Sequence, residues 1–438
     1  MPGMEKIPVP RKTLTVSDAV FIVVGVVIGA GIFRTPSIVA ANASGPIVVI
    51  ALWLAGGIVS LAGALTYAEL ATTYPSTGGD YLYISKSWGG KVSFLYAWAR
   101  MTVIQTGSIA MFAFIVGDYA SGIVPLGAYS VSLYAAGTVI LLTLANAEGI
   151  RPGLLVQKSL LTAIVAGLVI LAAAAISFSS PETGVTDSGG ITVVGRAMIF
   201  VLLTYGGWNE AAFLSAEVFN SRKSMVRVMV TSISIITATY LLVNAAFLLS
   251  LGRAGMTESD TIAATLISRL LGGAGATVVS LFIIAAALSS MNGVIITGAR
   301  TNYALGRDYP LFGFMGRWNH QAGTPAAAIV FQGIIALALV VLGTVSRSGF
   351  TTMVDYTAPV YWLFLLVATS SLFILRRRDG AVKRTYSVPL YPFTPLMFMA
   401  VCAYMFHASV AFTGVGALVG LAVLAAGVPF MLTARKER

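Results

Sequence analysis

The sequence predicts an all-α membrane protein with about twelve transmembrane helices. Hydrophobic residues make up 57% of its 438 positions and charged residues only 10%, against about 25% charged in soluble domains. Mean hydropathy is +0.89. The apolar residues gather into runs of about 20 or more without strict alternation, which suits membrane-crossing helices and not barrel strands. A chain surrounded by lipid must satisfy its backbone hydrogen bonds internally, and for these runs that means helices.

In chain order the runs fall at 16–41, 46–74, 92–117, 127–145, 154–178, 194–219, 228–251, 273–303, 325–345, 352–375, 391–412 and 414–434. Segment 1–15 has no cleavable signal pattern and reads as a cytoplasmic N-terminal tail; 435–438 reads as a cytoplasmic C-terminus. With both termini inside, 21 basic side chains fall on the cytoplasmic side and 5 outside, with Arg100 inside a span, as the positive-inside bias requires. The net charge of +11 is therefore spread through short loops, so no nucleic-acid partner is expected; the lipid bilayer is. The longest outer segments, near 179–193 and 252–272, read as surface loops or short helices, and the chain as one membrane domain. A single cysteine, Cys402, excludes a disulfide scaffold.

Two runs carry glycine clusters: Gly25-Val-Val-Ile-Gly29-Ala30-Gly31-Ile32-Phe33 and Leu203-Thr204-Tyr205-Gly206-Gly207-Trp208-Asn209. Either alone is compatible with close helix packing through small residues. As a pair they say more. Gly29 and Gly206 each lie about 18 Å into their runs at 1.5 Å per residue, near mid-membrane. They lie in the first and sixth spans, five steps apart, and since five is odd they are entered from opposite sides. Glycine-interrupted spans at matching positions in two halves point to an inverted-repeat transport site. The half-helix after each break offers free N–H groups to a carboxylate, and carbonyls before it suit an ammonium. Together they would recognise an α-amino acid.

Gly-Ala-Gly-Ile-Phe at 29–33, Tyr-Ala-Glu-Leu at 67–70 running to Tyr74-Pro75, and Gly78-Gly79-Asp80-Tyr81 resemble the amino acid–polyamine–organocation superfamily. Tyr205-Gly-Gly-Trp-Asn209 and Asp355-Tyr-Thr-Ala-Pro-Val-Tyr-Trp362 resemble its L-type amino acid transporter branch. The resemblance implies a LeuT-type fold, with 16–178 and 194–375 as five-helix inverted repeats and 391–434 as two additional helices. It implies a secondary transporter of neutral L-amino acids in the inner membrane, working by alternating access as an exchanger or proton-coupled symporter. It also implies that the Ala30 and Gly31 amides hold the substrate carboxylate, and that the carbonyls of Ile28, Leu202 or Leu203 take the amino group. Gly29, Tyr205 and Gly206 belong to the breaks themselves. Leu203 stands where the family often has a bulky aromatic gate, which leaves specificity open. Gln105, Ser108, Asn209, Asn292, Tyr356 and Tyr361 are polar positions able to line a cavity or bond between helices.

The chain departs from the family pattern at Ile164, where many relatives have a lysine implicated in coupling. Ser289 and Ser290 could join carbonyls of the first span in a Na+ site, or simply pack; H+ is the coupling ion preferred, and no other cofactor is expected. No covalent glycoprotein partner is expected, because the loop near 118–127 has no cysteine. Ionisable groups within spans are costly and call for partners or roles. Arg100 can pair with Glu69, snorkel or act in transport. Glu210 can bind a cationic side chain, carry a proton or form a salt bridge, so a cationic amino acid or polyamine carrier is the alternative within the class. Glu217 reads as structural. His320 and His407 make poor metal ligands, and no HExxH, GxSxG or Walker motif is present, so no enzyme is indicated. An ion channel or a nutrient receptor on a transporter scaffold stays open.

Overall fold

The structure, a computed structural model, describes residues 14–76, 78–149, 162, 164–169, 173, 193–215, 218–319, 321–412 and 414–433. The first helix, α1 (Val16–Val27), begins on a capping box: Thr15 Oγ accepts from the Asp18 amide at 3.2 Å and Asp18 accepts from the Thr15 amide at 3.0 Å. It stops inside its apolar run. Ile28 leaves helical geometry, Gly29 is extended (φ −104°, ψ −161°), and a 3₁₀ turn (Ala30–Phe33) leads into α2 (Thr35–Ala41).

Next come α3 (Pro46–Thr73) and the short α4 (Gly79–Trp88), then α5 (Gly90–Ala99), which runs through a π turn (Arg100–Ile104) into α6 (Gln105–Ile123), and α7 (Ser130–Ala147). The second broken helix consists of α8 (Val194–Tyr205), a 3₁₀ turn (Trp208–Glu210) and α9 (Ala211–Leu214). Gly207 between them has φ +102°, a left-handed conformation that glycine adopts without steric cost. The rest is α10 (Ser221–Thr257), α11 (Ile262–Asp308), α12 (Ala326–Val345), α13 (Gly349–Arg378), α14 (Phe393–Phe412) and α15 (Gly414–Thr433).

Among the described residues ten helical segments are long and apolar enough to cross a membrane, and α1 is a shorter apolar helix. Most of the fifth run, the loop after it, Glu217 and His320 lie outside the described residues. The outer segment 252–272, expected as a surface loop or short helices, is mostly helical, bent at Gly252 (φ 65°) and Gly272 (φ 71°). The breaks are held in the interior: α10 packs along α3 and α1, α11 along α6 and the first 3₁₀ turn, while α14 and α15 lie against α13.

Of the readings open for Arg100, the pairing with Glu69 does not occur. Glu69, buried near the end of α3, accepts from Arg376 Nε at 2.7 Å and Nη2 at 2.5 Å, and from the Val388 amide at 2.7 Å, with Arg384 3.4 Å away. These groups tie α3 to the end of α13 and the segment after it. Arg100 turns instead to the second broken helix. Removing one partner of a buried ion pair costs about 3–5 kcal/mol. Glu69→Ala is therefore expected to lower thermal stability in detergent markedly, whereas Lys383→Ala on the exposed side of this segment changes it little.

Candidate functional site

The two breaks face one another. A hydroxyl of α10, Tyr240 Oη, lies 2.9 Å from the Val27 carbonyl and 3.0 Å from the Thr204 carbonyl. These are backbone groups freed where α1 and α8 stop. Its one proton is shared between them. Thr204 and Thr35 hydroxyls meet at 2.7 Å, joining the helix before the second break to the helix after the first. Tyr119 donates to the Phe33 carbonyl at 3.1 Å. Thus buried side chains answer backbone groups that a continuous helix would have paired internally.

Between the breaks lie two adjoining cavities of about 100 and 30 Å³. They share Val26, Met111, Phe112, Leu203, Gly206 and Val354. Gln105, Ser108, Asn209, Glu210 and Tyr361 line the larger, and Gly31 and Thr35 the smaller. The structure thus brings Gly31, Leu203, Gly206, Asn209, Gln105 and Glu210 together around one space. It turns others away. Tyr205 Oη donates to the Trp53 carbonyl at 3.0 Å and Tyr356 Oη to the Thr102 carbonyl at 2.9 Å; both are buried between helices. Leu202 lies one residue behind the wall formed by Leu203. Asn292 accepts from Asn146 at 2.7 Å, away from the cavity. Ile28 and Gly29 form the first break and line neither cavity; a Cβ on Gly29 would come 2.5 Å from Ser290 Oγ. That places Ser290 against the unwound backbone without putting it on the cavity wall; Ser289, its neighbour, is half-buried. Ala30 opens the 3₁₀ turn, whose first amides have no partner within the turn itself.

The charged group of the wall is already matched. Arg100 Nη2 lies 2.8 Å from both Glu210 oxygens, and Nη1 donates to Tyr96 Oη at 3.2 Å. Gln105 turns its amide oxygen to Arg100 Nε and Nη2, at 3.2 and 2.6 Å, an orientation assigned from the hydrogen-bond network. The guanidinium also sits 4.5 Å from the Phe213 ring centroid. The pair joins the π turn of the third span to the 3₁₀ turn of the second broken helix. Such local widenings are frequent at functional sites, but this sequence carries no mark that would locate one. Tyr240, Tyr96 and Asp80 were likewise not singled out as site residues; each is distant in sequence from the breaks it serves.

A model of the amino acid permease family matches residues 14–431. The chain belongs to that family. The permease is therefore a multi-pass membrane transporter of amino acids and not an enzyme. It is 29% identical over 416 residues to the b(0,+)-type amino acid transporter 1 of Mus musculus, covering 91% of this chain and 83% of that one. It is 29% identical over 399 residues to the serine/threonine exchanger SteT of Bacillus subtilis (strain 168), covering 89% of each. It is 27% identical over 435 residues to the large neutral amino acids transporter small subunit 2 of Mus musculus, covering 96% of this chain and 80% of that one.

Because Arg100 is buried and Glu210, only partly exposed on the cavity wall, holds it, losing one strands the other. Glu210→Ala is expected to destabilise the permease by about 3–5 kcal/mol. Removing both charges in Arg100→Met/Glu210→Leu should recover most of that loss. Thermal unfolding of Arg100→Met, Glu210→Leu and the double variant in one detergent would measure the coupling.

Proposed function

We propose that the permease carries neutral L-amino acids by alternating access. The substrate's α-carboxylate lies at the first break on the amides of Ala30 and Gly31, its α-ammonium at the carbonyls of Ile28 and Leu203, and its side chain in the cavity. The observation that carries this reading is the Arg100–Glu210 pair. Glu210 is the acid on the cavity wall, and both of its oxygens are engaged by one guanidinium. No unmatched anion is left among the described lining residues for a cationic side chain. Val26, Ile104, Met111, Phe112, Leu203 and Val354 give the rest of the wall an apolar character. The cationic or polyamine reading requires Glu210 to release Arg100, which exposes a buried cation to no other carboxylate at hydrogen-bonding distance.

Two breaks in helices from opposite halves of the chain support a LeuT-type five-plus-five arrangement, with α14 and α15 outside it. Exchange is supported by the similarity to the serine/threonine exchanger of Bacillus subtilis (strain 168). Sodium coupling has less behind it: Ser290 brings one oxygen near Gly29, and the ion needs several more. The lysine that many relatives use is Ile164 here, buried and apolar.

A ligand that binds only the folded state raises apparent stability. Purified permease is expected to show a thermal shift with a group of neutral L-amino acids and none with agmatine or putrescine. A shift confined to the cations would reverse the specificity. Gly31→Leu, which fills the smaller cavity, is expected to abolish the shift while leaving folded, monodisperse protein. The same ligands should drive counter-flow in liposomes, which a channel or receptor would not support.

A further inference from the structure

Beside the Arg100–Glu210 pair lies a second buried carboxylate, Asp80, in the first turn of α4. One guanidinium cannot serve both acids equally, and its geometry chooses Glu210. Asp80 Oδ2 is left with two neutral donors at long range: Tyr96 Oη at 3.2 Å and Asn209 Nδ2 at 3.3 Å. Asp80 Oδ1 is buried and has no hydrogen-bond partner, and the nearby Tyr67 hydroxyl is also unpartnered. The start of a helix favours an anion by a modest amount. That is small beside the cost of an ionised carboxylate buried with one oxygen unsolvated.

We propose that Asp80 Oδ1 is the proton-binding atom that couples proton uptake to substrate binding in this permease. The inference rests on the amino acid reading above and adds the coupling group to it. On protonation one O–H bond forms at Oδ1, with the proton drawn from water at one membrane face and returned to water when Asp80 is next exposed. With Asp80 and Glu210 both ionised, the cluster they form with Arg100 carries one net negative charge; with Asp80 protonated it is neutral and can be sealed from water at lower cost. Asn209 is the connection to the substrate. Its amide lines the cavity, its Nδ2 bonds Asp80, and its Oδ1 accepts from Tyr361 at 3.5 Å. With the proton on Oδ1, Oδ2 still accepts from that amide but without the charge that strengthens the bond, so the amide turns more readily toward bound substrate.

The titratable groups facing Asp80 come from every neighbouring element: Tyr67 of α3, Tyr83 of α4, Tyr96 of α5, Arg100 of the π turn, Glu210 of the second broken helix and Tyr361 of α13. Arg100 alone among them is cationic, and it faces Glu210. Burial pushes the Asp80 carboxyl up to about 6, against the pull of Arg100. The sign follows: the proton is held below that pH and lost above it. If substrate binds the protonated form, affinity is full in mild acid and falls as pH rises, approaching about tenfold per pH unit for one coupled proton.

The test is substrate affinity of the full-length permease from mild acid to mild alkali, using the neutral amino acid that stabilises it most. Wild type should lose affinity with rising pH and take up a proton from weakly buffered solution when substrate is added. Asp80→Asn, a neutral isostere, should bind with little pH dependence and take up no proton, and Asp80→Glu should restore both. Proton uptake by the wild type keeps the proposal testable if Asp80→Asn does not fold: substrate binding without uptake overturns it. pH dependence that survives in Asp80→Asn, or binding that depends on Na+ and not on pH, also overturns it while leaving the transport reading intact. If no amino acid binds wild type at any pH, the transport reading fails, and the proton site with it.

Discussion

A helix that stops inside a membrane leaves backbone N–H and C=O groups with neither water nor a helical partner, and each such group is costly. This permease contains two such stops, at residues 28–29 and 206–207. The surrounding bundle is organised to answer them. Tyr240 takes a carbonyl from each side, Thr204 meets Thr35 across the gap, and Tyr119 caps the far end of the first 3₁₀ turn. Tyr240 also packs edge-on to Trp53 and Tyr205, with ring centroids 5.4 and 5.0 Å away. The polar anchor is therefore embedded in a rigid aromatic wall.

The charged side chains follow a related logic. At one end of the bundle Glu69 gathers Arg376 and Arg384; toward the other, Arg34 bridges Asp118 at 3.6 Å and also meets Asp260. Both networks join elements distant in sequence, as expected of contacts that hold helices together at their ends. Arg100 and Glu210 lie deeper, beside the cavity, and remove the charge that the wall would otherwise present. Their pairing weakens the cationic reading that Glu210 by itself suggests. It also leaves Asp80 as the acid with the least compensation in this neighbourhood, since Arg100 turns Nη2 to Glu210, Nη1 to Tyr96 and Nε to Gln105.

Much of this was readable in the chain itself. Lipid imposes length and apolarity on each span, so composition and run length showed an all-helical membrane protein. Glycines at matched depths marked both breaks, and at Gly207 few other residues tolerate the left-handed geometry. The motifs around those glycines carried the family resemblance and placed Gly31, Leu203, Gly206, Asn209, Gln105 and Glu210 near one another. Which partner each ionisable group takes was not readable. Arg100 is closer in sequence to Glu69 than to Glu210, yet helix ends level with one another assign Glu69 to Arg376. Tyr205 and Tyr356 carry the same hydroxyl as Tyr361, but helix rotation points only Tyr361 at the cavity. A one-residue step turns a helix by about 100°, so a motif locates a region and not a direction.

The sequence by itself determined the solvent this protein lives in, the helices that solvent demands and the places where two of them break, because these depend on local composition and backbone freedom. Only the tertiary structure decided how the freed backbone groups are answered, which acid holds the buried arginine and which is left without it. Those outcomes depend on distances between residues that are far apart in the chain and meet only when the bundle is packed.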